Sequence, residues 1–445
     1  MKGLGEELMP VVRAVLNYRA GMTLDENAYK QHFRLYFEYG CRRLKQIWEE
    51  CSNDLRLFIS SLLKLSNLDG VTDTEKSDKT SGYEKILTIR IGIEKDSLKP
   101  HMINFNKTDE HANNYVGIIG RPGSGKTFFL KDFLRKLREE SSFQMNFIVF
   151  DYAKGDIADD KEFIRNTRAE IIDVSQQPIP INIFKITNPS DSENRFQAER
   201  IVRIIRDVEG NIGKVQEQNL YTAILRAYGN IANESNPYPD FNLIRSELEL
   251  INSKPDSLTS VFRPLTEHNL FATREMPTWD SLINRTVIFD IHKLPTSKDL
   301  CVFFILNEIY KQLMAMPDSE VEPIHKVREM KTVIVIDEAH HFLKNKKRVG
   351  ILENLIREIR SKGASVFLLS QSPDDYDQAE FNFLELLEFV YVLGCSPSSS
   401  KFLKQVFGIT NTEAQQIIRD VVSLGQGEAF GKGKDKKTVR LKLCA

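Results

Sequence analysis

The sequence predicts an α/β protein with a mainly parallel sheet and a small helical domain in front of it. Short apolar runs alternate with helical stretches from about residue 85 onward, which is typical of a parallel sheet covered on both faces. One of these runs leads into a glycine-rich loop at residues 120–127, and another ends in two adjacent acids, Asp337 and Glu338. These three observations carry the prediction.

The 445-residue chain is 41% hydrophobic, and its 61 lysines and arginines nearly balance its 62 acids, for a formal charge of -1. This length suggests about two or three domains. The balanced charge predicts no general attraction to nucleic acid or membrane, so any polyanion site must be local.

The cysteines are odd in number and lack CxxC spacing, which argues against a disulfide framework and a zinc site; they are Cys41, Cys51, Cys301, Cys395 and Cys444. We therefore expect a reducing, cytoplasmic location. The N-terminus, MKGLGEELMPVVRAVL, lacks the basic start and apolar core of a signal peptide. No apolar stretch approaches 18 residues, so no membrane span is expected.

Residues 1–65 are predicted to form a helical domain. LMPVVRAVLNYRA has one apolar helical face, Thr23 and Glu26 form a capping-box signature, and DLRLFISSLLKL supplies a third segment. Residues 66–83 mix both charges with Ser, Thr and Gly, a linker composition. Residues 84–445 would then form the α/β domain, with a helical insertion at about 190–280.

Within that domain, Ile89, Ile91 and Ile93 alternate with polar or small residues, which predicts a half-buried strand. The further predicted strands and helices follow in the order YVGIIG, FFLKDFLRKL, NFIVFDY, a long helical region, TVIFDI, KTVIVIDE, ASVFLLS and EFVYVLG. The final GEAFGKGKDKKTVRLKL predicts a hairpin with a Gly/Lys turn.

The glycine-rich loop fits G-x-x-x-x-G-K-[ST], and it lies between an apolar run and a helix, as this phosphate-binding motif requires. Its glycines allow backbone N–H groups to face phosphates, Lys126 supplies charge to the outer phosphates, and Thr127 offers a hydroxyl to Mg²⁺. We predict that ATP and Mg²⁺ are cofactors. The predicted ATP-binding residues are Gly120, Arg121, Pro122, Gly123, Ser124, Gly125, Lys126, Thr127 and Phe128.

The run TVIVIDEAHH carries Asp337 and Glu338 to the carboxyl end of a strand, where open α/β sheets bind ligands. Asp337 would hold the metal, and Glu338 would orient or deprotonate the attacking water. Glu338 favours hydrolysis over kinase or switch chemistry. Gln371, at the end of ASVFLLSQ, is a candidate sensor of the terminal phosphate or an ordinary turn residue. A DEAH-box helicase is excluded because a second motor domain with arginine-rich closing motifs is missing.

The span from about 85 to 445 resembles the FtsK-HerA superfamily, particularly HerA and the ATPases of conjugation and type IV secretion. The matching pieces are GRPGSGKT, FIVFDYAKGD, PIPINIF, VIFDIHKLP, VIVIDEAHHFL, LIREIRSKGASVFLLSQSPDD and GEAF. The resemblance implies a RecA-like core, a hexameric ring of identical chains and ATP-driven movement along double-stranded DNA. It also implies that Lys126, Glu338 and Gln371 act in catalysis.

In HerA-type proteins the segment matching IREIRSKG presents an arginine finger, which stabilises charge on a neighbour's ATP. The resemblance gives Arg360 this role, with Arg357 as the alternative. Ser361 departs from the family pattern and leaves the register open. The alternative is a solvated basic helix end.

HerA begins with a β-barrel, whereas this chain begins with predicted helices. The stretch LGEELMPVVRAVLNYRAGMTLDENAYKQHFRLYFEYGCRRLKQI is similar to DndE of DNA phosphorothioation systems. This resemblance implies a DNA-modification or anti-phage pathway, with a nuclease or DNA-modification enzyme as partner.

The run LKNKKRVG follows the hydrolytic strand and could contact DNA phosphates through Lys344, Lys346, Lys347 and Arg348, or be a solvated loop. The sequence therefore predicts an ATP-hydrolysing, oligomeric DNA translocase. Two alternatives stay open: an ATPase that moves protein or DNA through a secretion or conjugation channel, and an ATP-gated DNA-binding assembly subunit.

Overall fold

The fold was analysed in a computed structural model. It describes residues 85–186, 190–231, 238–273, 279, 281–343, 346–376, 386–397, 400–433 and 437–444. These residues fall in one compact unit. The predicted helical domain at 1–65, with its DndE-like stretch, and the linker at 66–83 lie outside the described residues.

The strands form an 11-stranded sheet in the order β2-β1-β13-β12-β11-β3-β10-β9-β4-β6-β5, and β7 and β8 form a separate hairpin. In chain order the strands are β1 (Thr88–Glu94), β2 (Pro100–Asn104), β3 (Val116–Ile119), β4 (Asn146–Asp151), β5 (Glu170–Asp173), β6 (Val287–Asp290), β7 (Val321–Glu322), β8 (Val327–Arg328), β9 (Thr332–Ile336), β10 (Ala364–Ser370), β11 (Phe389–Leu393), β12 (Glu428–Lys432) and β13 (Thr438–Leu443).

The sheet has a parallel part and an antiparallel part. All pairings from β11 across to β5 are parallel. On the other side, β12, β13, β1 and β2 extend the sheet by antiparallel pairs. The prediction of a mainly parallel sheet is confirmed, and so is the C-terminal hairpin, which is formed by β12 and β13.

The helices cover both faces of this sheet. They are α1 (Lys126–Glu140), α2 (Lys161–Thr167), α3 (Asp191–Glu209), α4 (Lys214–Gly229), α5 (Phe241–Ile251), α6 (Ser257–Glu267), α7 (Lys298–Met314), α8 (His340–Leu343), α9 (Lys346–Ile359), α10 (Lys401–Phe407) and α11 (Asn411–Val422). The predicted helical insertion corresponds to α3 through α6. None of the helices in the described ranges combines the length and the apolar character that crossing a bilayer requires.

Burial on both faces explains the unbroken apolar runs of the parallel strands. Along β4, Phe147 and Val149 belong to a core shared with α1, whereas Ile148 and Phe150 belong to the core on the opposite face. By contrast, β1 alternates buried Ile89 and Ile91 with exposed Arg90, as predicted. The sheet therefore holds its central strands, and the loops that follow them, between two packed layers.

Candidate active site

The three predicted motifs follow neighbouring parallel strands. β10 pairs with β3 on one side, with Ser370 beside Ile119, and with β9 on the other, with Leu368 beside Ile336. The phosphate loop, Gln371 and Asp337 therefore leave the sheet at the same edge. This is the edge at which ligands of open α/β sheets bind.

The phosphate loop adopts a conformation that depends on its glycines. Gly123 has a φ of 81° and Gly125 a φ of 101°, in the left-handed region that side chains disfavour. A Cβ at Gly120 would lie 2.5 Å from the Ser124 hydroxyl. The loop leads directly into α1, whose first residue is Lys126, so the free N–H groups of a helix start face the loop.

Polar groups inside the loop are arranged for an anion. Lys126 is buried, and its Nζ donates to the Gly120 carbonyl at 2.5 Å. Burial lowers the pKa of Lys126, while Glu338 and Asp337 act in the opposite direction. The Ser124 hydroxyl is buried and has no hydrogen-bond partner among the described residues. A bound phosphate would supply the acceptors that these donors need.

The metal prediction is consistent with the surroundings of Asp337. Burial raises the pKa of Asp337 to about 7, and the charges of Glu338 and Asp151 add to this effect. The described residues contain no group of three His, Cys, Asp or Glu side chains placed to hold a metal alone. Mg²⁺ in nucleotide sites is bound through one or two carboxylates, water and substrate phosphates. Asp337 and Thr127 fit that type of site.

Glu338 contacts the predicted sensor. The Gln371 side-chain Nε2 donates to both carboxylate oxygens of Glu338, at 2.9 and 3.0 Å. His340 Nδ1 lies 3.1 Å from Glu338 Oε2. The backbone of Glu338 has a φ of 52°, a strained conformation that is held by its surroundings. Gln371 thus orients this carboxylate through two hydrogen bonds, whereas His340 lies beside it without forming one.

Asp151 is a site residue that the sequence interpretation did not single out. It ends β4, the strand next to β9, and its carboxylate accepts the backbone N–H groups of Gly155, Ile157 and Ala158 at 2.9–3.1 Å. Burial raises its pKa despite these bonds. The signal was present in FIVFDYAKGD, where an apolar strand ends in an acid just as TVIVIDE does.

A second group that was not singled out is the loop Gly425–Gly427, before β12. The Gly427 N–H donates to the Ser124 carbonyl at 3.1 Å. On the same side, the Arg121 N–H donates to the Gly394 carbonyl at 2.8 Å. These bonds attach the phosphate loop to the antiparallel part of the sheet. The sequence signal was the GEAF motif, which begins at Gly427.

The predicted arginine finger lies far from the phosphate loop of its own chain. Arg360 is exposed in a short 3-10 helix, Arg360–Lys362, that precedes β10, whereas Gln371 follows that strand. Seven residues of β10 separate the two ends, a distance of about 20 Å. Arg357 is also exposed, and it pairs with Glu353 at 3.0 Å. The finger role of Arg360 stays a prediction.

The predicted DNA contacts are only partly described. Lys344 and the side chains of Lys346 and Lys347 lie outside the described residues. The Arg348 guanidinium contacts Asp299 and donates to the Val208 carbonyl at 2.7 Å. Arg348 therefore joins α9 to the end of α3.

Comparison with solved structures gives the fold. VirB4 of Thermoanaerobacter pseudethanolicus matches with a TM-score of 0.61 and 15% sequence identity, over 80% of this chain and 96% of that chain. The bacterial conjugative coupling protein TrwB in its unbound form matches with a TM-score of 0.49 and 14% identity, over 80% of this chain and 88% of that one. No curated protein matches the sequence.

Residues 290–439 match the sequence pattern of one protein family, described as helicase HerA-like C-terminal. This range contains the acids Asp337 and Glu338, Gln371, strand β12 and the first two residues of β13. Residues 290–439 thus match a HerA-like C-terminal domain, and the described unit has a RecA-like α/β fold shared with VirB4.

Proposed function

We propose that this protein is a Mg²⁺-dependent ATPase. The observation that carries the proposal is the meeting of three strand ends at one edge of the sheet. There Gln371 bonds to Glu338, Glu338 follows Asp337, and the charges of both acids act on the phosphate-loop lysine, Lys126. A phosphate-binding loop, a metal ligand and a water-orienting acid are the groups that hydrolysis of a terminal phosphate requires.

Each residue has a chemical task in this proposal. The loop N–H groups and Lys126 bind the phosphates, and Thr127 and Asp337 would hold Mg²⁺. The bound ion neutralises charge on the outer phosphates. Glu338 orients the attacking water and accepts its proton. Gln371 holds the Glu338 carboxylate in place, and it lies where the terminal phosphate would be sensed.

We further propose that hydrolysis drives an oligomeric ring, a hexamer in this family, along double-stranded DNA. The HerA-like C-terminal domain supports this assignment. The position of Arg360 is consistent with it as well, because a side chain about 20 Å from the site of its own chain is too far to contact that ATP and, as a finger, would act on another copy. The resemblance of the N-terminal stretch to DndE supports a role in phosphorothioation or phage defence beside a nuclease or DNA-modification enzyme.

A second candidate is an ATPase that moves protein or DNA through a secretion or conjugation channel. The fold shared with VirB4 favours it. In that case the protein would hydrolyse ATP with the same residues, but free double-stranded DNA would not control the rate. An ATP-gated assembly subunit would instead bind DNA with ATP present and show no DNA-stimulated turnover.

The test is the steady-state ATPase rate with and without double-stranded DNA, together with DNA binding in the presence of ATP. We expect DNA to raise the rate of the wild-type protein. Lys126→Ala should lose nucleotide binding, and Glu338→Gln should bind ATP but lose turnover by at least about 100-fold. Lys99→Ala, which removes an exposed lysine from the β1–β2 turn, is the control and should match wild type.

The outcomes separate the candidates. An unchanged rate without DNA binding refutes the translocase. DNA binding without stimulation supports the assembly subunit. Turnover of Glu338→Gln equal to wild type would refute the assignment of the water-orienting acid.

A further inference from the structure

The loop Gly425–Gly427, before β12, lies beside the phosphate loop and forms one wall of the site. The Gly427 N–H donates to the Ser124 carbonyl at 3.1 Å. A Cβ placed on Gly125 would lie 3.3 Å from the Gly427 nitrogen and 3.8 Å from Cγ of Gln426. Gln426 thus lies next to the phosphate loop, with space for only a methyl group between its stem and Gly125, while the residue as a whole is exposed.

Contacts with β12, β13 and Lys95 hold this wall in place. The Glu428 carboxylate accepts the Gly425 N–H at 3.2 Å and the Arg440 guanidinium at 2.8 Å, and it also pairs with Lys95. The Leu443 N–H donates to the Gly427 carbonyl at 2.8 Å. A polar side chain on such a support binds a ligand with little loss of loop entropy.

The order of strands determines which end of a nucleotide meets this wall. The catalytic residues follow β10 and β9, on one side of β3, whereas the wall precedes β12, on the other side of β3 beyond β11. A triphosphate whose terminal phosphate faces Glu338 thus extends away from β9 and toward Gln426. Its nucleoside would then lie on the side of the phosphate loop that faces Gly425–Gly427.

An exposed aromatic ring lies close to this path. Phe128 is 66% exposed although it sits in the first turn of α1, directly after Thr127 and one turn beyond Gly125. The next residue, Phe129, is buried in the core. The first turn of α1 thus buries one phenyl ring in the core and leaves the other exposed at the helix start that follows the phosphate loop, open to a flat partner.

We propose that Phe128 and Gln426 form the subsite for the nucleobase, in which Phe128 stacks on the base and the Gln426 amide bonds to its polar edge. The proposal rests on nucleotide binding at the phosphate loop. The buried Ser124 hydroxyl of the phosphate loop, which has no hydrogen-bond partner among the described residues, is a second polar group that a bound nucleotide would satisfy. Stacking accepts any base, so discrimination between adenine and guanine falls to Gln426.

The experiment measures dissociation constants for ATP, GTP and inorganic tripolyphosphate, each with Mg²⁺. Phe128→Ala should weaken ATP binding about tenfold and leave tripolyphosphate binding unchanged, and Phe128→Tyr should restore the ATP value. Gln426→Ala should change the ratio of ATP to GTP affinity. Phe196→Ala, at a ring 57% exposed on α3, and Gln415→Ala, at an exposed amide on α11, are matched controls that should match wild type.

The outcomes distinguish this proposal from the one on which it rests. Wild-type protein that binds neither ATP nor tripolyphosphate contradicts the proposed function itself. Wild-type protein that binds both equally well refutes the base subsite alone. An equal loss of both ligands in Phe128→Ala, or unchanged ATP binding in that variant, also refutes the subsite, and an unchanged ATP-to-GTP ratio in Gln426→Ala removes Gln426 from it.

Discussion

Glu338 combines a strained backbone with a carboxylate that is oriented by Gln371. Its φ of 52° costs about 1 kcal/mol or more. The Gln371 amide donates to both of its oxygens. If Glu338 is the water-orienting acid that we propose, the site is organised before the substrate binds, which reduces reorganisation during the reaction.

Gln371→Ala tests this role. Because the variant frees the Glu338 carboxylate, we expect kcat to fall about 10-fold to 100-fold, the range found for groups that orient a functional side chain. KM for ATP should change little. Steady-state ATPase kinetics measure both constants, and Gln176→Ala, at an exposed glutamine after β5, is the control. A raised KM with unchanged kcat would instead mean that Gln371 binds the ground-state nucleotide.

The raised pKa of Asp337 makes the nucleotide-free protein less stable at higher pH. Its folded-state pKa is about 7 against an ordinary 3.8, so the folded protein holds a proton that the unfolded chain releases between these values. The wild-type free energy of unfolding therefore falls as pH rises through this window.

Asp337→Asn should remove this effect. We expect the variant to exceed wild type in stability by about 4 kcal/mol at pH 8 and to differ little at pH 4. Thermal denaturation without nucleotide or Mg²⁺ at both pH values gives the comparison. An equal difference at pH 4 and pH 8 would show that packing, and not the charge, distinguishes the two proteins.

The site residues found from the sequence are those in motifs that combine several signals. Lys126 lies in a glycine pattern flanked by a strand and a helix, and Glu338 follows an apolar run and a second acid. Asp151 has the same strand-end position, but a single acid after a strand is also an ordinary cap. The loop that carries Gln426 reaches the phosphate loop, through the bond from Gly427 to Ser124, only after the chain has returned across about 300 residues, and no local pattern encodes that approach.

At the level of single elements, strands buried on both faces were the most predictable, since β4, β9, β10 and β11 read as apolar runs. β2 and β5 were not singled out because they are short and carry polar residues, PHMIN and EIID. They form because a neighbouring strand offers hydrogen bonds to them. That neighbour is fixed by the tertiary fold and not by local sequence.

Glu428→Gln tests the connection between β1, β13 and the loop Gly425–Gly427. The Lys95 side chain, which has the largest effect, and the Arg440 side chain lower the pKa of Glu428 from 4.5 to about 2. A lowered carboxyl pKa contributes stability above pH 4.5, and this contribution is lost as pH falls toward 2.

We expect Glu428→Gln to destabilise the protein by about 1 kcal/mol at pH 7, because both ion pairs are partly exposed to solvent. The difference should shrink as the pH falls toward 2. Melting curves across this range measure it. A difference that stays constant with pH would assign the effect to altered packing and not to charge, because glutamine can still accept the hydrogen bond from Gly425.

At the scale of the whole molecule, the parallel part of the sheet carries the candidate catalytic residues, and the antiparallel part contacts the phosphate loop through Gly427. The sequence analysis anticipated the first part through its apolar runs and the C-terminal hairpin of the second. The pairing of β1 with β13 joins segments more than 340 residues apart. Only the complete topology fixes such a contact.

Mixing variants tests the proposed contact between copies. Arg360→Ala and Lys126→Ala should each have little ATPase activity alone. In a mixture, an intact phosphate loop from the first variant can meet an intact Arg360 from the second, so part of the rate should return. Arg357→Ala replaces Arg360→Ala in the matched experiment. Recovery only with Arg357→Ala would transfer the finger role to that residue, and no recovery at any ratio counts against a finger in this segment.

The antiparallel pair β1–β13 also determines how the unit responds to force. Gly92 lies beside Leu443, and Glu94 lies beside Leu441, so residues 85 and 444 leave the sheet at the same end. A pull between them opens the hydrogen bonds of the pair one at a time, which is the weak direction of a sheet. Leu443 also bonds to Gly427, which contacts the phosphate loop. Tension along this seam would therefore reach the nucleotide site before the rest of the sheet yields.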